Sequence, residues 1–364
     1  MKFLFPIVIL LAQIYTSLRI WQIIPLPSIW KTVITILYNT GFISFFLFFA
    51  FALRQKDFIS FEVTKILYEL GTSSPFILLY LLILFGILDI ARAIHLLPSH
   101  YLLNSWIGTL SITGLMLITF ISGNLHYHNK YREVLHLTTT KKIARPLKIV
   151  LLSDLHLGYH NQRKDFAQWV DLINQENSDL ILIAGDIVDF NTVPLDYEHT
   201  AEEFHRLNAP VYACLGNHEY IDNIQSTEAF YQAAGIHLLK DQFTILSDYG
   251  LALIGRDDRT NKKRKSISEL KQGITNDSLY TIVLDHQPFH LEEAEENHID
   301  FQFSGHTHDG QVWPITYIID AMYEDGHGPW QRGDTHYYVS SGLGIWGGKF
   351  RIGTNSEYTI LNLN

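Results

Sequence analysis

Asp154 and His156 stand one residue apart, just after an apolar run at 149–152. A carboxylate and an imidazole at that spacing can be two ligands of one metal ion if they point the same way. An extended strand carried through Leu155 would do this, because side chains along a strand alternate faces. By itself the pair is more simply a turn aspartate and a surface histidine. Four later stretches repeat the pattern and change the odds. Gly185, Asp186 and Asp189 follow an apolar run at 180–184, and Gly216, Asn217, His218 and Glu219 follow one at 211–215. Asp285 and His286 follow a run at 280–284, and Gly305, His306 and His308 follow one at 301–303.

Each of these runs is short and apolar, which argues for buried strands. Further runs lie at 251–254, 337–340 and 358–363. Between the earlier ones are helical patterns: Phe166, Trp169, Val170 and Ile173 fall on one face, and 202–207 and 227–234 are further candidates, the last stopped by Gly235. Strand–helix alternation at the front implies parallel βαβ units, and the scarcer helices later imply a mixed sheet. Carboxyl ends of strands line the ligand crevice of α/β sheets, so five strand ends would bring their Asp, His and Asn side chains to one place. Carboxylates, imidazoles and an amide oxygen in that number exceed the coordination of a single ion and imply two. Cys214, the one cysteine, excludes an internal disulfide and reads as a small buried core residue.

The order D-x-H, G-D-x-x-D, G-N-H-E, H, G-H-x-H resembles the calcineurin-like metallophosphoesterase superfamily, from about Lys148 to the C-terminus. The forms at 305–312 and 338–344 look like its membrane-associated bacterial branch, with Asp309 and Ser341 standing where that branch commonly has glycine and arginine. The resemblance implies a four-layer α-β-β-α sandwich and a role for each candidate. Asp154, His156 and His308 would hold one metal, Asn217, His286 and His306 the other, and Asp186 would bridge them. A carboxylate has two oxygens and can span ions about 3.5–4 Å apart. His218 would assist the leaving group and Asp189 would orient it, although a turn or helix cap is the plain alternative for Asp189. Asp285 is either a hydrogen-bond partner of the site or a turn residue. Imidazole ligands suit manganese, iron or zinc rather than magnesium alone. The implied reaction is hydrolysis of a phosphoester or phosphoanhydride, with water attacking phosphorus in line.

The 364-residue chain has room for about two domains, and its 47% apolar content is concentrated in the first third. Apolar stretches at 3–18, 33–53, 75–88 and 101–123 read as about four α-helical transmembrane spans, so the chain divides into a helical anchor at 1–125, a basic linker at 126–147 and a metallophosphoesterase domain at 148–364. A cleaved signal peptide is the alternative for the first stretch, with Lys2 as its basic end, but no small-x-small cleavage site follows it. Trp21, Trp30 and Trp106 sit near the span ends. Arg54, Lys56 and Lys65 lie on one side with Lys130, Arg132, Lys141, Lys142, Arg145 and Lys148, against Arg19, Lys31 and Arg92 on the other. An even span count then puts both termini and the α/β domain in the cytoplasm. Asp89 and Arg92, at i, i+3, read as a local ion pair. The formal charge of −10 argues against nucleic acid as a partner.

Two stretches bear on the substrate. Residues 256–265 are basic and could hold a phosphate or touch anionic lipid, or be a solvated loop. Residues 312–323 carry Trp313, Ile315, Tyr317, Ile318, Ile319, Met322 and Tyr323, either an apolar lip for acyl chains or ordinary core. A membrane tether makes a lipid-borne phosphate the economical substrate, and related enzymes act on UDP-diacylglucosamine. The alternatives are a phospholipid or soluble nucleotide diester, or a membrane sensor that binds metal without turnover.

Overall fold

Four long helices come first in the computed structural model, which describes residues 4–52, 60–221 and 223–364. They are α1 (Leu4–Ile23), α2 (Ser28–Ala52), α3 (Phe61–Ala93) and α4 (Trp106–His128), and each is long and apolar enough to cross a membrane. Lys2, Phe3, Leu53, Arg54 and Lys56, which entered the span ends and the charge count, lie outside the described residues. α3 begins at Phe61, well before the apolar stretch that signals it, because the Ser60 side chain caps it by accepting from the Val63 N–H. Asp89 lies 3.6 Å from Arg92 but only 2.8 Å from Arg19 of α1, and Tyr15 donates to its other oxygen at 2.7 Å. The expected local pair is therefore chiefly a tie between helices.

The chain forms two compact units, residues 1–125 with 347–349 and residues 126–346 with 350–364. The second is built on twelve strands: β1 (Lys130–Leu137), β2 (Leu147–Leu152), β3 (Leu180–Ala184), β4 (Val211–Cys214), β5 (His237–Leu238), β6 (Gln242–Leu246), β7 (Leu251–Gly255), β8 (Tyr280–Leu284), β9 (Phe301–Ser304), β10 (Gly328–Arg332), β11 (Thr335–Val339) and β12 (Ser356–Leu363). They make two six-stranded sheets, β1-β12-β2-β3-β4-β5 and β10-β11-β9-β8-β7-β6. The run β2 to β5 is parallel, as is β7-β8-β9-β11, while β12–β2, β6–β7 and β10–β11 pair antiparallel. The stretch 126–147, read as a linker, contains β1, which pairs in parallel with β12 along its whole length.

Period-two alternation decides the layering. Ile149 and Leu151 of β2 point between the sheets and meet Leu182, Leu253, Ile282 and Phe303. Val150 and Leu152 point outward onto Phe166, Trp169 and Val170 of the helix Arg163–Asn174, and onto Phe230 of the helix Ile224–Ala233. On the far side of the other sheet, Ala252, Ile254 and Val283 pack against Ile267 and Leu270, and against Leu291 and Ala294. The result is a four-layer α-β-β-α sandwich whose central strands are buried on both faces, each buried Leu or Ile contributing about 1.5–3 kcal/mol. Cys214 is a buried free thiol in the core between the sheets.

Candidate metal centre

The turns after β2, β3, β4, β8 and β9 carry the candidate residues, three from one sheet and two from the other. The extended conformation does not carry through Leu155 as the pair spacing suggested. β2 ends at Leu152, and both Asp154 (φ 53°) and His156 (φ 43°) are in the left-handed region. Asp186 (φ 51°), His306 (φ 73°) and His308 (φ 51°) share that conformation. Left-handed backbone costs a non-glycine residue about 1–3 kcal/mol, and such residues gather at functional sites. Glycine allows the close approach: a Cβ on Gly305 would lie 2.2 Å from Asp154 Oδ2, and one on Gly216 would lie 2.1 Å from Asp186 Oδ1.

The side chains converge in two groups. In the first, Asp154 Oδ1 is 3.7 Å from His156 Nε2 and 3.4 Å from His308 Nε2, and the two Nε2 atoms are 3.1 Å apart. In the second, Asp186, His286 and His306 offer ligand atoms within 4.8 Å of one another. Asn217 Oδ1 joins that group, 3.2 Å from His286 Nε2. Asp186 Oδ2 stands between the groups, 3.1 Å from His286 Nε2 and 3.6 Å from His156 Nε2. The outer nitrogens fix the rings. His286 Nδ1 donates to the Ala184 carbonyl at 2.7 Å, and His156 Nδ1 donates to Asp189 Oδ1 at 3.2 Å. Both rings thus present Nε2 to the interior, as metal-binding histidines do.

Charge points the same way. Asp154, Asp186 and Asp189 are buried, which alone would push their carboxyls up. The surrounding imidazoles outweigh burial and hold all three below the usual carboxylate range. His156 is carried up to about 10, since Asp154 and Asp189 overcome the burial that opposes it. Burial pushes His306 down to about 4 and His308 down to about 3, with charge on His286 and His156 adding to it. The ionised carboxylates hold a proton on His156, which a divalent cation would displace, while His306 and His308 are neutral and turn free lone pairs inward.

Asp189 has a second partner, His156, beside the expected His218. Its carboxylate is nearer His156 (3.2 Å) than His218 (3.6 Å), and His218 Nδ1 is hydrogen-bonded to the Asp189 main-chain carbonyl. A carbonyl only accepts, so His218 Nδ1 carries a proton and Nε2 is the atom left to exchange one. Asp285 is neither a turn residue nor a partner of His286. Its oxygens receive Arg256 at 2.8 Å and Arg264 at 2.9 Å, which anchor the basic loop 256–265 and rule out a merely solvated one. Residues 312–323 are not core beyond the buried Val312: the helix Thr316–Met322 has no buried residue, and Trp313, Tyr317, Ile318 and Met322 are exposed.

Two residues that received no role from sequence hold the turns together. Glu219, the last residue of its motif, accepts the N–H groups of Asp186, Val188 and Gly216 at 3.0, 3.0 and 2.6 Å. Burial, then the charge of Asp186, pushes its carboxyl up to about 7. Arg351 is fully buried and donates to the His308 carbonyl at 2.6 Å and to the Ser341 carbonyl. It thereby clamps the turn of His308 to the turn at 340–344, and Ser341 itself is fixed by its N–H donating to Glu357 Oε1 at 3.1 Å. Asp309 adopts φ 50°, a conformation for which glycine would be natural.

Two mixed sheets in an α-β-β-α sandwich, with Asp, His and Asn converging from their strand ends, are the architecture of the metallophosphoesterases. The chain belongs to the calcineurin-like phosphoesterase family, whose model matches residues 147–310. It is 31% identical over 235 residues to a metallophosphoesterase of Aquifex aeolicus, covering 62% of this chain and 88% of that one. Similarity to a metallophosphoesterase of Helicobacter pylori strain J99 is 33% over 228 residues, 61% of either chain. A transmembrane protein with metallophosphoesterase domain from Danio rerio is 28% identical over 230 residues, 58% of this chain and 52% of that one. The matched region thus spans only part of the Helicobacter and Danio relatives. The family implies a binuclear divalent metal centre, and the two donor groups described above fit it.

Proposed function

We propose that the protein is a membrane-anchored two-metal phosphoesterase, with residues 1–125 as anchor and 148–364 as catalytic domain. Asp154, His156 and His308 would hold one ion, Asn217, His286 and His306 would hold the other, and Asp186 would bridge them. The observation that carries this reading is Asp186 Oδ2 standing between two donor groups, within 3.6 Å of His156 Nε2 and 3.1 Å of His286 Nε2. Two divalent cations, when bound, neutralise phosphoryl oxygens and acidify the attacking water. Manganese, iron and zinc match the imidazole-rich set. The chain's own part is to orient and to move a proton. Asp189 holds His156 in its ligating tautomer, and His218 delivers a proton from Nε2 to the departing oxygen. The reaction is hydrolysis of a phosphoester or phosphoanhydride. The test is hydrolysis of bis(p-nitrophenyl) phosphate by the full chain in detergent with added manganese. Activity that is indifferent to Asp186→Asn would remove the two-metal reading.

A lipid-borne phosphate, such as that of UDP-diacylglucosamine, is the substrate class we favour. Four helices able to span a membrane and the exposed apolar residues Trp313, Tyr317, Ile318 and Met322 support it. Release of UMP from UDP-diacylglucosamine is the expected result. Turnover of soluble nucleotide diesters alone would favour the soluble alternative. The distribution of lysine and arginine favours a cytoplasmic catalytic domain. A C-terminal fluorescent-protein fusion should fluoresce, and an alkaline phosphatase fusion should be inactive.

A further inference from the structure

The basic loop 256–265 borders a cavity of about 360 Å³ whose lining includes Arg256, Arg259, Lys262, Arg264, His290 and Glu293. Its cations are not equivalent. Arg256 and Arg264 are spent on Asp285, and Arg256 also lies 3.0 Å from Glu293. Arg259 and Lys262 have no carboxylate partner among the described residues; the Lys262 ammonium donates only to the Arg259 carbonyl, at 3.0 Å. Two uncompensated cations on one concave wall repel each other unless water or an anion lies between them.

The loop is held rigidly enough to present them. Asp257 accepts from the Tyr220 hydroxyl at 2.6 Å and from Asn261 at 2.8 Å, and Asp258 accepts from Thr260 and from Gln287. The Arg259 guanidinium lies over the Phe289 ring, 4.1 Å from its centroid. Stacking on an aromatic face orients the fork and leaves its donors free for an oxyanion. Ring contacts then lead to the candidate metal centre: Phe289 to Tyr323 at 4.7 Å between centroids, and Tyr323 to His306 at 6.4 Å. On the loop's other side, Asp285, which ties Arg256 and Arg264, is the residue before His286.

We propose that this cavity is a phosphate subsite, built around Arg259 and Lys262, for a second phosphate carried by the substrate away from the one that reacts. The proposal rests on the two-metal reading only in naming the occupant as part of the substrate. Its volume exceeds the ~30 Å³ share of one water many times over, so a phosphate with its bridging waters fits. The substrate class thereby narrows to molecules bearing two phosphate groups.

The test is calorimetric titration of the full chain in detergent with inorganic phosphate, made in an Asp186→Asn background so that the candidate metal centre contributes least. Phosphate should still bind. Adding Arg259→Ala should weaken that binding at least tenfold, and Arg259→Lys should recover most of it, with melting temperatures confirming folded protein. No phosphate binding to the Asp186→Asn chain, or equal binding with and without Arg259→Ala, overturns the subsite. Failure of the two-metal reading would appear elsewhere, as reporter hydrolysis that survives Asp186→Asn.

Discussion

Two neighbouring clusters of buried charge in the α/β unit solve the same problem differently. Asp285 is buried, and two arginines neutralise it; the cluster is complete within the protein and serves to hold a loop. Asp154, Asp186 and Asp189 are equally buried, but imidazoles are their facing groups. Imidazoles can carry a proton or surrender a lone pair, whereas a guanidinium can only stay charged. A carboxylate matched with arginine is finished, while one matched with histidine leaves room for a cation. The difference between the clusters marks which one is built to take something up.

Four substitutions would break or sharpen that contrast. The largest effect is expected at Asp186. Asp186→Asn should lower turnover of a phosphodiester reporter on the order of 10³-fold, because cation stabilisation of the transition state is worth several kcal/mol. Metal content by mass spectrometry should fall with it, and full activity with full metal would end the comparison. Asp285→Asn comes next. It leaves the mostly covered Arg264 without its counter-charge and the buried Arg256 with Glu293 alone, at a cost of roughly 3–5 kcal/mol. The loss should appear as a lowered melting temperature with bound metal retained, and loss of metal instead would show the clusters to be one. Asp189→Asn removes only the group that orients His156 and should weaken metal binding about 10–100-fold without emptying the site. Titration with zinc against a chelator would read it, and an unchanged affinity would deny Asp189 its orienting role.

The smallest effect is expected at Glu176, a carboxylate of the finished kind. Arg132 first, and Lys148 with it, hold its carboxyl down at about 2. Its folded value lies below its unfolded one, so the stability it contributes is complete above about pH 4.5 and fades as pH falls toward 2. Arg132 is half exposed, which screens the pair, so Glu176→Gln should cost no more than about 1 kcal/mol at pH 7. It should also flatten the acid limb of the melting curve against pH, and an unaltered acid limb would contradict the assignment.

Much of the site was legible because its residues sit at fixed places along the chain. Asp154, Asp186, Asn217, His286 and His306 each follow an apolar run by a few residues, and the runs are strands buried on both faces. What escaped was a matter of partners. That Asp189 faces His156, that Asp285 takes two arginines, and that Arg351 reaches the His308 carbonyl are contacts between residues 21 to 43 positions apart. No local spacing encodes them.

The strands divide by the same logic. The eight that appear as apolar runs are the inner strands of the two sheets, where both faces are covered and most residues are apolar. The four that do not, β1, β5, β6 and β10, are the four sheet edges. An edge strand meets water along one side and can carry residues such as those of Lys130–Leu137, most of which are exposed or half-buried. By itself, then, the sequence determined the inner strands, the four membrane-length helices and the residue types at the strand ends, because burial and hydrogen-bond chemistry act on each residue where it stands. Only the tertiary structure decided the edges, the left-handed turns that aim Asp154 and His156 together, and which buried carboxylate meets arginine and which meets histidine. Those depend on what a distant part of the chain brings alongside.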